Sequence, residues 1–164
     1  MRNLLLTLTL LLAACGKEAW DGNVYHAGRA SFRTGPVPGG WERITLEGAM
    51  LAFRDRASGG TVNLYSRCGK DGDDVPLTAL TNHLLIGFTA REQKEQKVVP
   101  LDGREAMRTI IYAKLDGVPV ALAIYVLKKD GCVYDLVWVA PPAAFDGGLT
   151  SFDTFVSGFA TTGG

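Results

Sequence analysis

The sequence predicts an α+β fold, an antiparallel β-sheet with a long C-terminal meander and helices packed on its faces. Asp-Gly pairs at 102–103, 116–117 and 130–131 punctuate β-rich runs at even spacing. This pair favours type I′ hairpin turns, in which both central residues need positive φ. Apolar side chains recur at helical spacing in two other places, Leu77 to Phe88 and Leu149 to Phe159, so helices accompany the strands. A length of 164 residues with 47% hydrophobic content suits one core of ordinary size.

The chain opens with Arg2, an apolar run from Leu4 to Leu12 broken by Thr7 and Thr9, and then Ala13-Ala14-Cys15-Gly16. A basic residue, a short apolar stretch and small residues before a cut site make a secretory signal. The run is too short to span a bilayer, which takes about 20 apolar residues. Leu12-Ala13-Ala14-Cys15 resembles the lipobox of bacterial lipoproteins. That resemblance implies diacylglycerol on the Cys15 sulfur, cleavage before Cys15, and an acyl group such as palmitate on the new amino terminus. The alternative is an ordinary signal peptide in which Cys15 is incidental. Two or three acyl chains would make anchoring effectively permanent, since each buried methylene contributes about 0.8 kcal/mol. Gly16 rather than Asp after the lipidated residue favours the outer membrane, facing the periplasm, by the sorting rule of enteric bacteria. The expected organisation is a signal peptide over 1–14, a lipidated N-terminus and linker over 15–28, and a single domain over 29–164. Residues 16–28 show no sustained period and read as a tether.

Within the domain, Trp41 to Leu46 and Ala49 to Asp55 are strand candidates joined around Glu47-Gly48. After the turn Ser58-Gly59-Gly60, a strand over Thr61 to Cys68 places Val62, Leu64, Ser66 and Cys68 on one face. Asp71, Asp73 and Asp74 lead through Pro76 into the first helix, where Leu77, Leu80, Leu84 and Phe88 share a side and an end near Gly87 is expected. The meander follows, as Arg104 to Leu115, Val118 to Lys128 and Cys132 to Ala140. In its last strand Cys132, Tyr134, Leu136, Trp138 and Ala140 form an apolar face, while Asp135 interrupts the other. A closing helix carries Leu149, Phe152, Val156 and Phe159, with Gly147-Gly148 expected to delay its start.

The order of elements resembles the PsbP-like group, which takes in the extrinsic PsbP protein of photosystem II, a Ran-binding import factor and bacterial DcrB-like lipoproteins. The likeness runs from about Ala30 to Phe159 and is carried by Gly40-Trp41, the Leu101-Asp102-Gly103 step before a long strand, and Tyr134. It implies an antiparallel sheet with helices on its faces and a non-catalytic assembly or binding role. The lipobox fits the DcrB-like branch.

With Cys15 taken by lipid, Cys68 and Cys132 remain as an even pair in an exported chain, which is the arithmetic of one disulfide. Two buried free thiols are the alternative. A redox-active pair would show Cys-X-X-Cys spacing. Other constellations point to structure. The acidic turn at 71–74 lacks the twelve-residue calcium loop with its terminal Glu and reads as a helix cap. His26 stands alone in the tether, and His83 has no thiol or serine partner. The run Arg91 to Lys97 alternates in sign, as a solvated helix end or an edge strand does. Lys128-Lys129 reads as protection of a sheet edge. The aromatics Trp41, Phe88, Trp138, Phe152 and Phe155 are read as core. No metal site and no catalytic residue is expected, and no cofactor beyond the covalent lipid on Cys15. Lys+Arg and Asp+Glu both number 17, which removes the basic excess of a nucleic-acid binder. The functional expectation is therefore a membrane-anchored, non-catalytic interaction or assembly module with a protein partner in the envelope. A carrier for a small apolar or lipid ligand is the alternative, and it requires a cavity of several hundred Å³ between sheet and helix.

Overall fold

The computed structural model describes residues 19–69 and 74–163. Among these, seven strands form one antiparallel sheet: β4 (Trp41–Ile44), β5 (Leu51–Asp55), β6 (Thr61–Cys68), β7 (Phe88–Leu101), β8 (Arg104–Leu115), β9 (Val118–Lys129) and β10 (Cys132–Ala140). Their spatial order is β4-β5-β6-β10-β9-β8-β7. The meander thus folds back so that its last strand zips onto β6, and the pairing ends at Cys132 opposite Cys68. Four short strands, β1 (Ala19–Trp20), β2 (Val24–His26), β3 (Phe32–Arg33) and β11 (Ala160–Thr161), make a second antiparallel sheet. Helix α1 (Leu77–Leu84) covers one face of the large sheet, and α2 (Phe145–Ser157) with the small sheet covers the other.

The three Asp-Gly turns carry the expected backbone. φ is +49° and +70° at Asp102-Gly103, +49° and +81° at Asp116-Gly117, and +53° and +71° at Asp130-Gly131. Alternation along the strands then sorts the core into two layers. Toward α2 lie Tyr134, Leu136 and Trp138 of β10 with Phe152 and Phe155 of the helix. Toward α1 lie Val133 and Val137 with Ile111, Leu122, Ile124 and Leu80. Trp41 and Phe88 are half-buried, whereas Trp138, Phe152 and Phe155 are fully enclosed.

Several expectations change on contact with tertiary structure. The stretch read as a tether is, from residue 19 onward, part of the fold. Tyr25 is fully buried and stacks on Phe32 at 5.3 Å, and Trp20 meets Phe53 edge-on at 6.1 Å. The domain therefore begins before residue 29. Phe88 belongs to β7 rather than to α1, because the helix stops at Leu84 and Gly87, at φ +90°, reverses the chain. The charged run Arg91 to Lys97 lies on β7, an edge strand interrupted by register shifts and by Ala90 at positive φ, which discourages pairing with another chain. Lys128 and Lys129 do not guard an edge, since β9 lies between β10 and β8. Lys129 instead pairs with Asp102 at 2.7 Å, and Lys128 donates to the Val75 carbonyl at 2.9 Å. Asp74 supplies no helix cap: Pro76 occupies that position, and the first turn of α1 holds no acidic residue. Asp71 and Asp73 lie outside the described residues.

Helix α2 begins at Phe145 and runs straight through Gly147-Gly148. The reason is Trp138, whose indole is flanked by Gly60 and Gly148. A Cβ on either glycine would overlap the ring. The indole Nε1 donates to the Phe145 carbonyl at 3.2 Å, which fixes the start of the helix against the sheet. Gly148→Ala should therefore destabilise the protein by about 1–3 kcal/mol, as overpacking does. Gly147 has open space at its Cβ, so Gly147→Ala should instead stabilise by up to about 1 kcal/mol. Urea denaturation of both variants checks the opposite signs.

Candidate functional site

Helix α1 is only eight residues long and packs over β8 and β9. Among the described residues it leaves Tyr65, Arg67 and Val139 on the α1-side face of β6 and β10 partly exposed. The result is a half-open cleft of about 400 Å³ between the end of α1, Phe88 and the sheet. Its apolar wall comes from Leu122, Ile124, Val137 and Val139, and its polar wall from Asn63, Tyr65 and Arg67 on β6. These three polar residues alternate with Val62 and Leu64 along the strand, so the register that buries those two in the other layer turns the polar residues toward α1.

Asp135 sits beside this wall. On β10 it lies directly opposite Tyr65 of β6 and Val126 of β9. Its side chain is completely buried, and the Arg67 guanidinium approaches to 3.1 Å. The two are ion-paired by distance but misaligned for a hydrogen bond, so neither carboxylate oxygen has a hydrogen-bonding partner. Burial pushes the Asp135 carboxyl up to about 6, with Arg67 and His83 pulling the other way. Burial, reinforced by the Asp135 charge, likewise raises the Tyr65 phenol. Arg67 is half exposed and also borders a second hollow of about 370 Å³, lined by Val75, Leu80 and His83. An arrangement of this kind holds and orients a molecule through an apolar floor and a few polar atoms.

Two further polar groupings are fastenings. On the α2 side, Arg108 donates to the Tyr125 hydroxyl at 2.8 Å and to Asp153 at 3.0 Å, and also pairs with Glu95. The Tyr125 hydroxyl donates to Asp153 at 2.9 Å. Burial and this carboxylate push the Tyr125 phenol up to about 12. The network ties α2 to β7, β8 and β9 with its members mutually satisfied. At the far end of the sheet, Asp102 accepts from the Thr161 amide at 2.9 Å and from Lys129, which holds β11 in place.

Cys68 and Cys132 are joined by a disulfide, with an S–S distance of 1.98 Å and Cα atoms 4.0 Å apart. The Gly69 amide donates to the Gly131 carbonyl one step beyond. The cysteines therefore occupy a non-hydrogen-bonded pair, where facing strands approach most closely. Cys132 is buried as expected, but Cys68, at the strand end, is exposed. Cys15 lies outside the described residues. His26 forms an exposed pair with Asp21 at 3.6 Å, and His83 is exposed on α1. Among the described residues no cluster of three or more His, Cys, Asp or Glu side chains could hold a metal ion. Asp135 is legible in the sequence as a break in an apolar face, whereas Asn63, Tyr65 and Arg67 are not. Their signal was the polar alternation on the other side of β6, which gains meaning only once β10 is known to pair there.

No protein-family model matches the sequence, and no curated protein matches it. Solved structures do. The solution structure of cyanobacterial PsbP (CyanoP) from Synechocystis superposes with a TM-score of 0.62 at 15% identity, covering 92% of this chain and 99% of that one. The fold is PsbP-like. LpqN, described as involved in cell envelope biogenesis of Mycobacterium tuberculosis, matches with a TM-score of 0.58 at 16% identity, over 84% of this chain and 87% of its own. A Bacteroides thetaiotaomicron protein matches at 0.56 and 10% identity, with 87% of this chain covering 49% of that one. Among the described residues no helix is long and apolar enough to cross a membrane.

Proposed function

We propose that this chain is an envelope lipoprotein, anchored through acylated Cys15, whose PsbP-like domain is a non-catalytic binding module. The leader ends at Ala14, and the described fold includes Ala19–Trp20 as its first strand. The outer membrane, with the domain facing the periplasm, is the proposed location. The observation that carries the binding role is the cleft beside α1. It is concave, apolar on one wall and polar on the other, and its volume falls in the range of small-molecule sites. The buried carboxylate beside it, Asp135, is paired with Arg67 at 3.1 Å, an arrangement that suits holding a molecule. The description of LpqN as an envelope-biogenesis protein is consistent with this setting. Of the two roles expected from the sequence, the cleft favours a carrier of a small apolar ligand over a purely protein-binding scaffold.

Two measurements test the proposal. Cys15→Ser should lose palmitate labelling and nearly all carbonate-resistant membrane association. Retention of the variant on membranes after an alkaline wash would remove the anchor. The domain should also bind an environment-sensitive naphthylamine dye at one per chain, and Leu84→Trp, which fills the cleft, should abolish that binding. Stoichiometric dye binding that survives Leu84→Trp would place the ligand elsewhere and return the assembly role to first place.

A further inference from the structure

Resting on the reading of this cleft as a binding site, the polar wall also selects the head group of its ligand. Three buried oxygens on the α1 side make no hydrogen bond: Asn63 Oδ1 and both oxygens of Asp135. Asn63 is 5% exposed and lines the cleft, and its amide nitrogen is occupied by the Thr61 hydroxyl at 3.3 Å. The β6–β10 register places Asn63 opposite Val137, one same-face step from the Tyr65–Asp135 pair. Leaving such a group unpaired costs about 1–3 kcal/mol, which a hydroxyl or amide on a ligand would recover.

Charge narrows the choice. Among the described residues Arg67 is the only charged one lining the cleft, and its charge is balanced by Asp135 at 3.1 Å. An anionic head would meet a guanidinium whose charge Asp135 already balances, with that buried carboxylate close behind it, so the net attraction is small. A cationic head would compete with Arg67 for the same oxygens. An uncharged head depends on neither charge. The cleft lies toward the small end of ligand sites, about 300–1,000 Å³, which suits one alkyl chain rather than two.

We propose that the cleft takes an uncharged single-chain amphiphile, its alkyl chain lying on Leu84, Phe88 and Val139 and its hydroxyl or amide head at Asn63, in preference to a fatty acid or an alkylamine.

The test is calorimetric titration of the full chain carrying Cys15→Ser, so that no acyl group of its own competes. The probes are monodecanoylglycerol, decanoate, decylamine and methyl decanoate, each below its aggregation threshold. Monodecanoylglycerol should bind one per chain and at least about five-fold more tightly than the other three, the ratio expected of one additional hydrogen bond. Asn63→Leu should bring its affinity down to that of methyl decanoate, while methyl decanoate itself stays within about two-fold. If Asn63→Leu does not fold, Asn63→Ala serves in its place, and the ranking of probes on the unsubstituted cleft stands independently. Decanoate or decylamine binding as tightly as monodecanoylglycerol overturns the inference, as does a folded Asn63 variant with undiminished affinity. Equal binding of all four overturns the head-group preference alone. If none binds, the binding role of the cleft falls with it.

Discussion

Removing the Cys68–Cys132 disulfide should lower the stability of the domain by about 4 kcal/mol. The two residues are 64 apart in sequence, and in the chain-entropy model closing a loop of that length restricts the unfolded chain by about this amount at 25 °C. The native state has little to gain or lose locally. Cys132 lies against the Tyr134 and Phe159 layer and Cys68 at an exposed strand end, so Cys132→Ala with Cys68→Ser leaves neither a large void nor a stranded polar group. The β6–β10 ladder continues for seven further pairs without the cystine, so the fold should persist in the variant while melting earlier. At about 2–4 °C per kcal/mol for a chain of this size, the expected fall in Tm is about 8–16 °C. Adding reductant to the unsubstituted protein should reproduce that shift, and adding it to the double variant should do nothing. A change below about 1 kcal/mol would mean that the unfolded chain is already compact around this pair. The same measurement bears on location, because a chain kept in a reducing cytosol by deletion of its leader should show the lower stability until it is oxidised.

The parts of the fold legible in the sequence are those in which local chemistry and tertiary structure agree. Asp102, Asp116 and Asp130 with their following glycines adopt positive φ because the type I′ turn demands it, and the strands they bound could be placed almost to the residue. Strand β7 was obscure for the opposite reason. As an edge strand with most of its residues exposed, it has no apolar face to alternate with a polar one, and charge alone does not distinguish it from a frayed helix. Strands β1 to β3 are two or three residues long, too short for any period to show, although buried Tyr25 and Phe32 anchor them. Gly147-Gly148 looked like an obstacle to helix formation because propensity counts a glycine as a loss. Contact with Trp138 makes the small residue a requirement at 148. The site follows the same division. Asp135 was visible as an interruption, but the partners that give it meaning come from a strand about seventy positions earlier, and no local pattern announces that pairing.

Asp135→Leu should make the protein more stable at pH 7.5, by about 3 kcal/mol at most, and should remove a component of its pH dependence. The group's ordinary value is 3.8, and in the fold it is pushed up to about 6, so the folded state holds this proton more tightly than the unfolded chain does. Its favourable contribution is therefore complete below pH 3.8 and is lost as the pH rises to about 6, above which the charged, buried form is a constant burden. The interval corresponds to about 3 kcal/mol. Leucine has no charge to desolvate, and replacing a buried ion-pair member by an apolar side chain of similar volume is often stabilising. Arg67, half exposed, can turn to solvent when released. Asp102 and Glu95, both held below their ordinary values by cationic partners, act in the reverse direction but are shared by both proteins, so they cancel in the difference between the two stability curves. A variant less stable than its parent at pH 7.5, or one whose curve stays parallel to it between pH 4 and 7, would show that the Arg67 pairing outweighs the burial. A side chain that weakens the fold at neutral pH needs a reason to be there, and charge balance in the cleft supplies one. With Asp135 gone, the Arg67 guanidinium is free to attract an anion, so the variant should gain affinity for decanoate while its preference for monodecanoylglycerol shrinks. Higher stability together with relaxed head-group selectivity is the pair of results that would mark Asp135 as a residue kept for what the cleft refuses.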